Sequence, residues 1–265
     1  MEPDLSALDK FHWRGIDKKM YNVAVIIPAL NPEETLIKYV KSLLSKGFRE
    51  VIVINDGSGE NRNHIFSRLA ELDHCTVLTH KSNRGKGRAL KTGFQYFLEY
   101  FSELNGVVTA DADGQHAVED VCKVAQKLQE VKTHLVLGIR NFKEAHVPKR
   151  SYIGNTITSF AFHLLFRQKL VDTQTGLRAI PAREIRRMIQ LRGERYEYEI
   201  NMLIYAKKTN MPISEVAIQT IYYNNNQGSY YKTFRDSWKI FRKLVSGLLY
   251  FNFRYKKLLH GEPHE

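Results

Sequence analysis

The chain is predicted to fold as an α/β protein built on a mainly parallel central sheet with helices on both faces. Short apolar runs recur at 23–27, 51–54, 76–79 and 107–109, each followed by a polar loop and then a segment of helical character. The first and clearest run, Val23-Ala24-Val25-Ile26-Ile27, is apolar throughout rather than alternating, as in strands covered on both faces. Strand, loop and helix repeated four times require crossover connections, which place successive strands parallel. In such sheets ligands bind beyond the carboxyl ends of the strands, so the polar loops are where chemistry is expected.

Taken in order, residues 1–21 are polar and mixed in charge and read as an N-terminal arm. The first strand is stopped by Pro28, and Asn31-Pro32-Glu33-Glu34 opens a helix to about residue 46, where proline suits the first turn and the glutamates favour the positive helix end. The second strand runs into Asn55-Asp56-Gly57-Ser58-Gly59 and a polar helix through residue 72. The third leads through Asn83-Arg84-Gly85-Lys86-Gly87-Arg88 into a helix over 89–101. The fourth ends at Asp111-Ala112-Asp113-Gly114-Gln115-His116, before a helix over 117–130. A strand at 135–137 closes on Gly138-Ile139-Arg140. Beyond it come an apolar and aromatic helix over 150–166, strands at 176–180 and 213–221, and a helix over 198–208 between them. A last helix over 233–255 carries Phe234, Trp238, Phe241, Val245 and Leu248 on one side, with Arg235, Lys239, Arg242 and Lys243 elsewhere around it. That pattern suits a membrane interface, and also a face packed on the protein body. The expected organisation is an arm (1–21), one domain (22–231) and an amphipathic C-terminal segment (232–265).

The 265 residues are 43% hydrophobic and 26% charged, ordinary for a folded domain. The formal net charge of +12 points to an anionic partner: nucleotide phosphates, nucleic acid or an acidic membrane face. Cys75 and Cys122 form neither zinc spacing nor a disulfide framework. The arm lacks the apolar stretch of a signal peptide, and no run reaches the roughly 18 to 20 apolar residues of a membrane span. A cytoplasmic protein that touches a membrane is the expectation.

Asp111 and Asp113 are two apart in extended chain and so present their carboxylates on one side. Held together, they call for a cation, and Mg²⁺ or Mn²⁺ is commonly held by one or two carboxylates plus substrate phosphates. A solvated turn with a helix cap is the alternative reading of these two residues alone. Asp56 can accept hydrogen bonds from a base, and Gly57 and Ser58 permit close backbone approach; a turn with a cap explains them as well. Lys86, between two glycines, can reach a diphosphate, with Arg88 and Lys91 in the next turn and a half. The hydrolase phosphate loop and the Gly-x-Gly-x-x-Gly dinucleotide fingerprint are both missing.

Pro28-Ala29-Leu30-Asn31, Asn55-Asp56-Gly57-Ser58, Asn83-Arg84-Gly85-Lys86-Gly87, Asp111-Ala112-Asp113-Gly114-Gln115-His116 and Asp172-Thr173-Gln174-Thr175-Gly176-Leu177-Arg178 occur in the order expected of family 2 glycosyltransferases. The stretch from about residue 21 to 231 resembles polyprenyl-phosphate sugar transferases of the dolichol-phosphate mannose synthase type. The resemblance implies a GT-A fold, a nucleotide-sugar donor and Mg²⁺ or Mn²⁺ at Asp111, Asp113 and Gln115. It places Pro28, Ala29, Asn31, Glu33, Asp56, Gly57, Lys86, Asp111 and Ala112 on the donor side. Arg140 and Arg150 match arginines that hold the acceptor phosphate, and with Asp113 they make up the implied catalytic set. Asn55 stands where an aspartate is usual, and Leu30 where a tyrosine is common.

The implied reaction is inverting transfer of a sugar from a UDP-sugar or GDP-mannose to undecaprenyl or dolichyl phosphate, serving cell-envelope glycan or glycoconjugate synthesis. The implied setting is the inner membrane face, with an anionic membrane surface as partner, no nucleic acid, and either self-association or a membrane-protein partner. One alternative is a family 2 transferase acting on a saccharide hydroxyl, with Glu197 or Glu199 as base; another is a non-catalytic nucleotide-sugar-binding or nucleic-acid-binding protein.

Overall fold

The computed structural model describes residues 20–142 and 147–221, with Lys149 and Arg150 described in their backbone alone. Most of the N-terminal arm and the whole expected helix over 233–255 therefore lie outside the described residues.

Seven strands form one sheet in the order β3-β2-β1-β4-β6-β5-β7. They are β1 (Tyr21–Ala29), β2 (Phe48–Asn55), β3 (Cys75–Thr79), β4 (Gly106–Thr109), β5 (Leu135–Arg140), β6 (Arg178–Pro181) and β7 (Ile213–Ile218). Every pairing is parallel except those of β6, which runs against both β4 and β5. The helices are α1 (Thr35–Ser45), α2 (Asn63–Ala70), α3 (Lys86–Tyr100), α4 (Val118–Val131), α5 (Lys149–Phe166), α6 (Ala182–Gln190) and α7 (Glu197–Lys208).

Alternation along β1 shows why the sheet is covered on both faces. Val23, Val25 and Ile27 join a core with Leu36, Val40, Phe66, Val121 and Leu128 of α1, α2 and α4. Ala24 and Ile26 point the other way, onto Leu90, Phe94 and Phe97 of α3 and onto residues of α6 and α7. The α3 backbone comes close to the sheet at Gly93, where an added Cβ would stand 2.7 Å from Ile26 Cγ2.

Several expected boundaries move, each for a physical reason. Pro28 lies inside β1, paired with Ile54 of β2, and does not stop the strand. The Ile26 carbonyl faces β4, accepting from the Ala110 N–H, so the proline nitrogen two residues on faces the same side. There β4 has already ended at Thr109, and no ladder hydrogen bond is lost. The first helix starts at Thr35, later than expected, because Asn31 adopts a φ of +50° and its carbonyl side chain accepts from the Gly59 N–H at 2.9 Å. The third helix starts at Lys86, three residues earlier than expected. The sequence reading missed α6 altogether: five of its nine residues are ionisable or amide side chains. Its Glu184 is nonetheless buried, accepting from the Tyr205 hydroxyl at 2.7 Å and pairing with Arg187 at 3.3 Å.

The carboxyl ends of β1, β2, β3, β4, β5 and β7 lie along one edge. Because β6 is reversed, the loop that precedes it, 172–177, arrives at that edge too.

Candidate active site

The loop after β4 holds the acidic pair. Asp111 is anchored from behind by His116, a buried side chain whose Nδ1 accepts the Asp111 N–H at 3.0 Å. That bond leaves the imidazole proton on Nε2, and burial lowers the ring's pKa, keeping it neutral. Asp113 opens to solvent and accepts the Gln115 N–H on Oδ1 at 3.0 Å, which turns the loop. The two carboxyls are pushed apart in acidity. Burial would raise Asp111, but the charge of Lys86 outweighs it and brings Asp111 down to about 2; the partial loss of water on the loop side of its carboxyl and then the charge of Asp111 raise Asp113.

Lys86 comes from the first residue of α3. Its Nζ is 2.6 Å from Asp111 Oδ1 and 3.0 Å from Glu199 Oε1 of α7. The Lys86 pKa is raised: burial works against the charge, and Asp111 and then Glu199 more than restore it. The ion pair runs over Gly176, where a Cβ would come within 2.5 Å of Asp111 Oδ2 and 2.8 Å of Lys86 Nζ. Glycine at this position is therefore a requirement of the site. The Gly176 carbonyl is in turn fixed by Thr109 Oγ1 at 2.8 Å.

Beneath lies Arg178, among the largest fully buried side chains of the described residues. It donates from Nε to the Thr175 carbonyl at 2.9 Å and from Nη1 to the Glu199 carbonyl at 2.5 Å, tying the 172–177 loop to α7. Its guanidinium offsets the carboxylates of Asp111, Asp172 and Glu199, although burial lowers its pKa.

Asp56 is assigned by sequence to a nucleoside, and the structure shows where its oxygens go. It is buried, accepting the N–H groups of Arg84 (2.9 Å) and Gly85 (2.8 Å), and it meets His80 Nδ1 at 2.6 Å. Asp56 thus builds the loop that delivers Lys86. Gly57, at a φ of +72°, lets this loop close, since a Cβ there would stand 2.2 Å from the Ser82 carbonyl carbon. Asp56→Ala should lower stability by about 3 kcal/mol, because buried N–H donors would lose their acceptor; urea unfolding with an unchanged midpoint would refute this role.

Asn31 and Ser58 join the first two loops, Ser58 Oγ accepting the Asn31 N–H at 2.9 Å. Ala29 is buried, while Glu33 is exposed just ahead of α1. Lys91, grouped by sequence with Lys86 as a phosphate contact, turns inward. It pairs with Glu194 at 3.0 Å and lies 5.1 Å from the centre of the Tyr198 ring. Arg88 also pairs with Glu194, a residue the sequence reading passed over.

Two strands across from β4, Arg140 ends β5. Asp172, fully buried, grips it with Oδ2 to Nε at 2.7 Å and Oδ1 to Nη2 at 3.1 Å. The same loop carries α5: Asn155 bonds the Val171 carbonyl and Thr173 N–H, and Gln174 bonds Thr158. Arg140 and the early turns of α5 therefore flank one loop. Arg150 is the second residue of α5, and its side chain lies outside the described atoms.

A divalent cation fits this centre. The two carboxylates stand on one loop, and Asp111 already draws an ammonium to 2.6 Å. Among the described residues no cluster of three or more His, Cys, Asp or Glu side chains could hold a metal ion.

A doubly covered α/β sheet thus brings a carboxylate pair and a largely buried lysine to the edge where sheets of this class bind ligands. The sequence profile of glycosyl transferase family 2 matches residues 24–187. The UDP-N-acetylglucosamine–dolichyl-phosphate N-acetylglucosaminyltransferase of Methanococcus voltae is 34% identical over 223 residues, covering 78% of this chain and 87% of that one. The human dolichyl-phosphate beta-glucosyltransferase is 27% identical, covering 76% of this chain and 68% of the relative. Among solved structures, glucosyl-3-phosphoglycerate synthase from Mycobacterium tuberculosis, crystallised with Mn²⁺, UDP-glucose and phosphoglyceric acid, superposes with a TM-score of 0.63 at 17% identity. That match covers 86% of this chain and 78% of the other, and it shows a shared fold. The chain belongs to glycosyl transferase family 2 and is a glycosyltransferase of the GT-A fold.

Proposed function

We propose that this enzyme moves a sugar from a nucleotide-sugar donor to the phosphate of a polyprenyl lipid, inverting the anomeric centre. The observation that carries the reading is the pairing, along one sheet edge, of an acidic centre beside Lys86 with an arginine held rigidly by a buried aspartate. The dolichyl-phosphate acceptors in the names of the relatives support it.

In this reading the ends of β1 and β2, with Pro28, Ala29, Asn31, Glu33 and Gly57, receive the nucleoside, and Asp56 serves from behind by holding the loop that carries Lys86. Lys86 and the Asp111–Ala112–Asp113 loop receive the diphosphate. Asp111, Asp113 and Gln115 would hold Mg²⁺ or Mn²⁺, which when bound supplies positive charge to the departing nucleoside diphosphate. A lipid phosphate is anionic at neutral pH, so it needs no strong base. Arg140 and Arg150 orient it and offset its repulsion from the donor. One phosphate oxygen forms the new bond to the anomeric carbon as the bond to the diphosphate breaks, and a single displacement inverts the centre.

A lipid acceptor also needs a surface. Among the described residues no helix is long and apolar enough to cross a membrane. Instead α5 exposes Ile153, Ile157, Phe160 and Leu164, spaced four, three and four apart along one side, with Phe160 and Leu164 each 66% exposed. This stripe belongs to the helix that begins with Lys149 and Arg150, so a peripheral position on an anionic membrane face suits it. Phe160→Ser with Leu164→Ser should weaken binding to anionic vesicles several-fold. Truncation after Tyr231 should weaken it further, and moderate salt should reduce what remains. Unchanged vesicle co-sedimentation in all three cases would remove the membrane assignment.

The deciding experiment offers radiolabelled nucleotide sugars with polyprenyl phosphate and Mg²⁺ or Mn²⁺, followed by organic extraction. Label in the organic phase identifies both donor and acceptor class. Label transferred only to a water-soluble saccharide would overturn the lipid acceptor.

A further inference from the structure

Resting on the cation site read above, we propose that Glu199 is a positioning residue that keeps hold of Lys86 when a divalent cation takes Asp111. Lys86 Nζ lies 2.6 Å from Asp111 Oδ1, the carboxylate that a cation requires, and 3.0 Å from Glu199 Oε1. An ammonium and a divalent ion cannot share one carboxylate oxygen at such distances without strong repulsion. Cation binding therefore displaces the lysine from Asp111, and a largely buried ammonium, 17% exposed, left with no partner is costly. Glu199 is placed to prevent that. Its side chain is 9% exposed, its carbonyl is fixed by Arg178, and its neighbour Tyr198 is tied by its hydroxyl to the Met188 carbonyl at 2.7 Å. Gly176, beneath the pair, puts no side chain in the way of the ammonium. Lys86 is thus exchanged between two carboxylates: it neutralises Asp111 while the site is empty of metal, and it is retained by Glu199, facing the donor diphosphate, once the metal is in.

The exchange makes opposite predictions for its two ends. Lys86→Met removes the competitor, so Mn²⁺ should bind more tightly in the absence of nucleotide. Glu199→Gln leaves Asp111 as the remaining carboxylate for Lys86, so Mn²⁺ should bind more weakly, by about tenfold. In the Lys86→Met background, Glu199→Gln should change Mn²⁺ affinity by less than about threefold, because Glu199 acts through the lysine.

Titration calorimetry and the electron paramagnetic resonance of Mn²⁺ measure these affinities without turnover. A second reading uses Glu199→Gln alone. At saturating Mn²⁺ its affinity for UDP or GDP, whichever the wild type binds more tightly, should still be about tenfold reduced, because Lys86 is no longer aimed. Glu199→Asp should recover part of the loss. Equal weakening of Mn²⁺ by Glu199→Gln in both backgrounds, or nucleotide affinity fully restored by saturating Mn²⁺, would make Glu199 a direct cation ligand and overturn the proposal. So would Mn²⁺ affinity that responds to neither variant. Wild-type protein that binds no Mn²⁺ at all would instead defeat the underlying reading of the metal site.

Discussion

Asp113→Ala should give a folded protein whose sugar transfer is depressed about 1000-fold, and chelation should silence the wild type to a similar degree. Asp113 opens to solvent at the tip of its loop, and among the described contacts its carboxylate accepts one backbone hydrogen bond, from Gln115. Its loss therefore disturbs little of the packing. What is lost, on the function proposed above, is one of two carboxylates for the cation, and with it the charge that the departing diphosphate needs. The measurement is initial rate against added Mn²⁺ after chelation, with circular dichroism to verify the fold. Full activity in excess chelator would remove the metal from the mechanism.

The second large effect concerns the acceptor. Arg140→Ala and Arg150→Ala should each slow lipid glycosylation by roughly 30 to 1000-fold, the loss of about 2 to 4 kcal/mol from a charged contact that strengthens in the transition state. Donor affinity, measured calorimetrically with Mn²⁺, should stay within a few fold. Asp172 fixes both the Nε and the Nη2 of Arg140, so its guanidinium is held in a set orientation beside the 172–177 loop; because Arg140→Ala also leaves the buried Asp172 carboxylate unpaired, circular dichroism must verify that this variant is folded. A collapse of donor affinity would move these arginines to the diphosphate site.

Much of this was legible in the residues. Apolar runs located the first five strands, for β1, β2, β4 and β5 because burial on both faces admits little else, and the spacing of Asp111 and Asp113 announced the acidic loop. The partners of these groups were not legible, since Glu199 stands 113 residues from Lys86 and Asp172 stands 32 from Arg140. Lys91 was misread through a matter of helical phase. Once α3 starts at Lys86, residue 91 lies about 140° around the axis and faces inward. Asp56 looked like a ligand-facing carboxylate because turn chemistry and ligand chemistry use the same residue types; only the fold shows that Arg84, Gly85 and His80 take up its oxygens. The reversed strand β6 resembles its parallel neighbours in sequence, because a short buried strand has the same composition whichever way it runs.

That reversed strand also governs the order in which the enzyme can be made. β4 carries the acidic loop at its end, yet one of its two flanking partners is β6, and β6 alone links β5 and β7 to the rest of the sheet. During synthesis β4 must wait for a strand that emerges about 70 residues later, a delay of roughly 4 to 14 seconds at ordinary elongation rates. Throughout that interval β4 offers an open edge to any extended chain nearby. Until β6 is made, the first half of the sheet, β3-β2-β1-β4, therefore keeps the β4 edge without the partner that covers it in the finished fold.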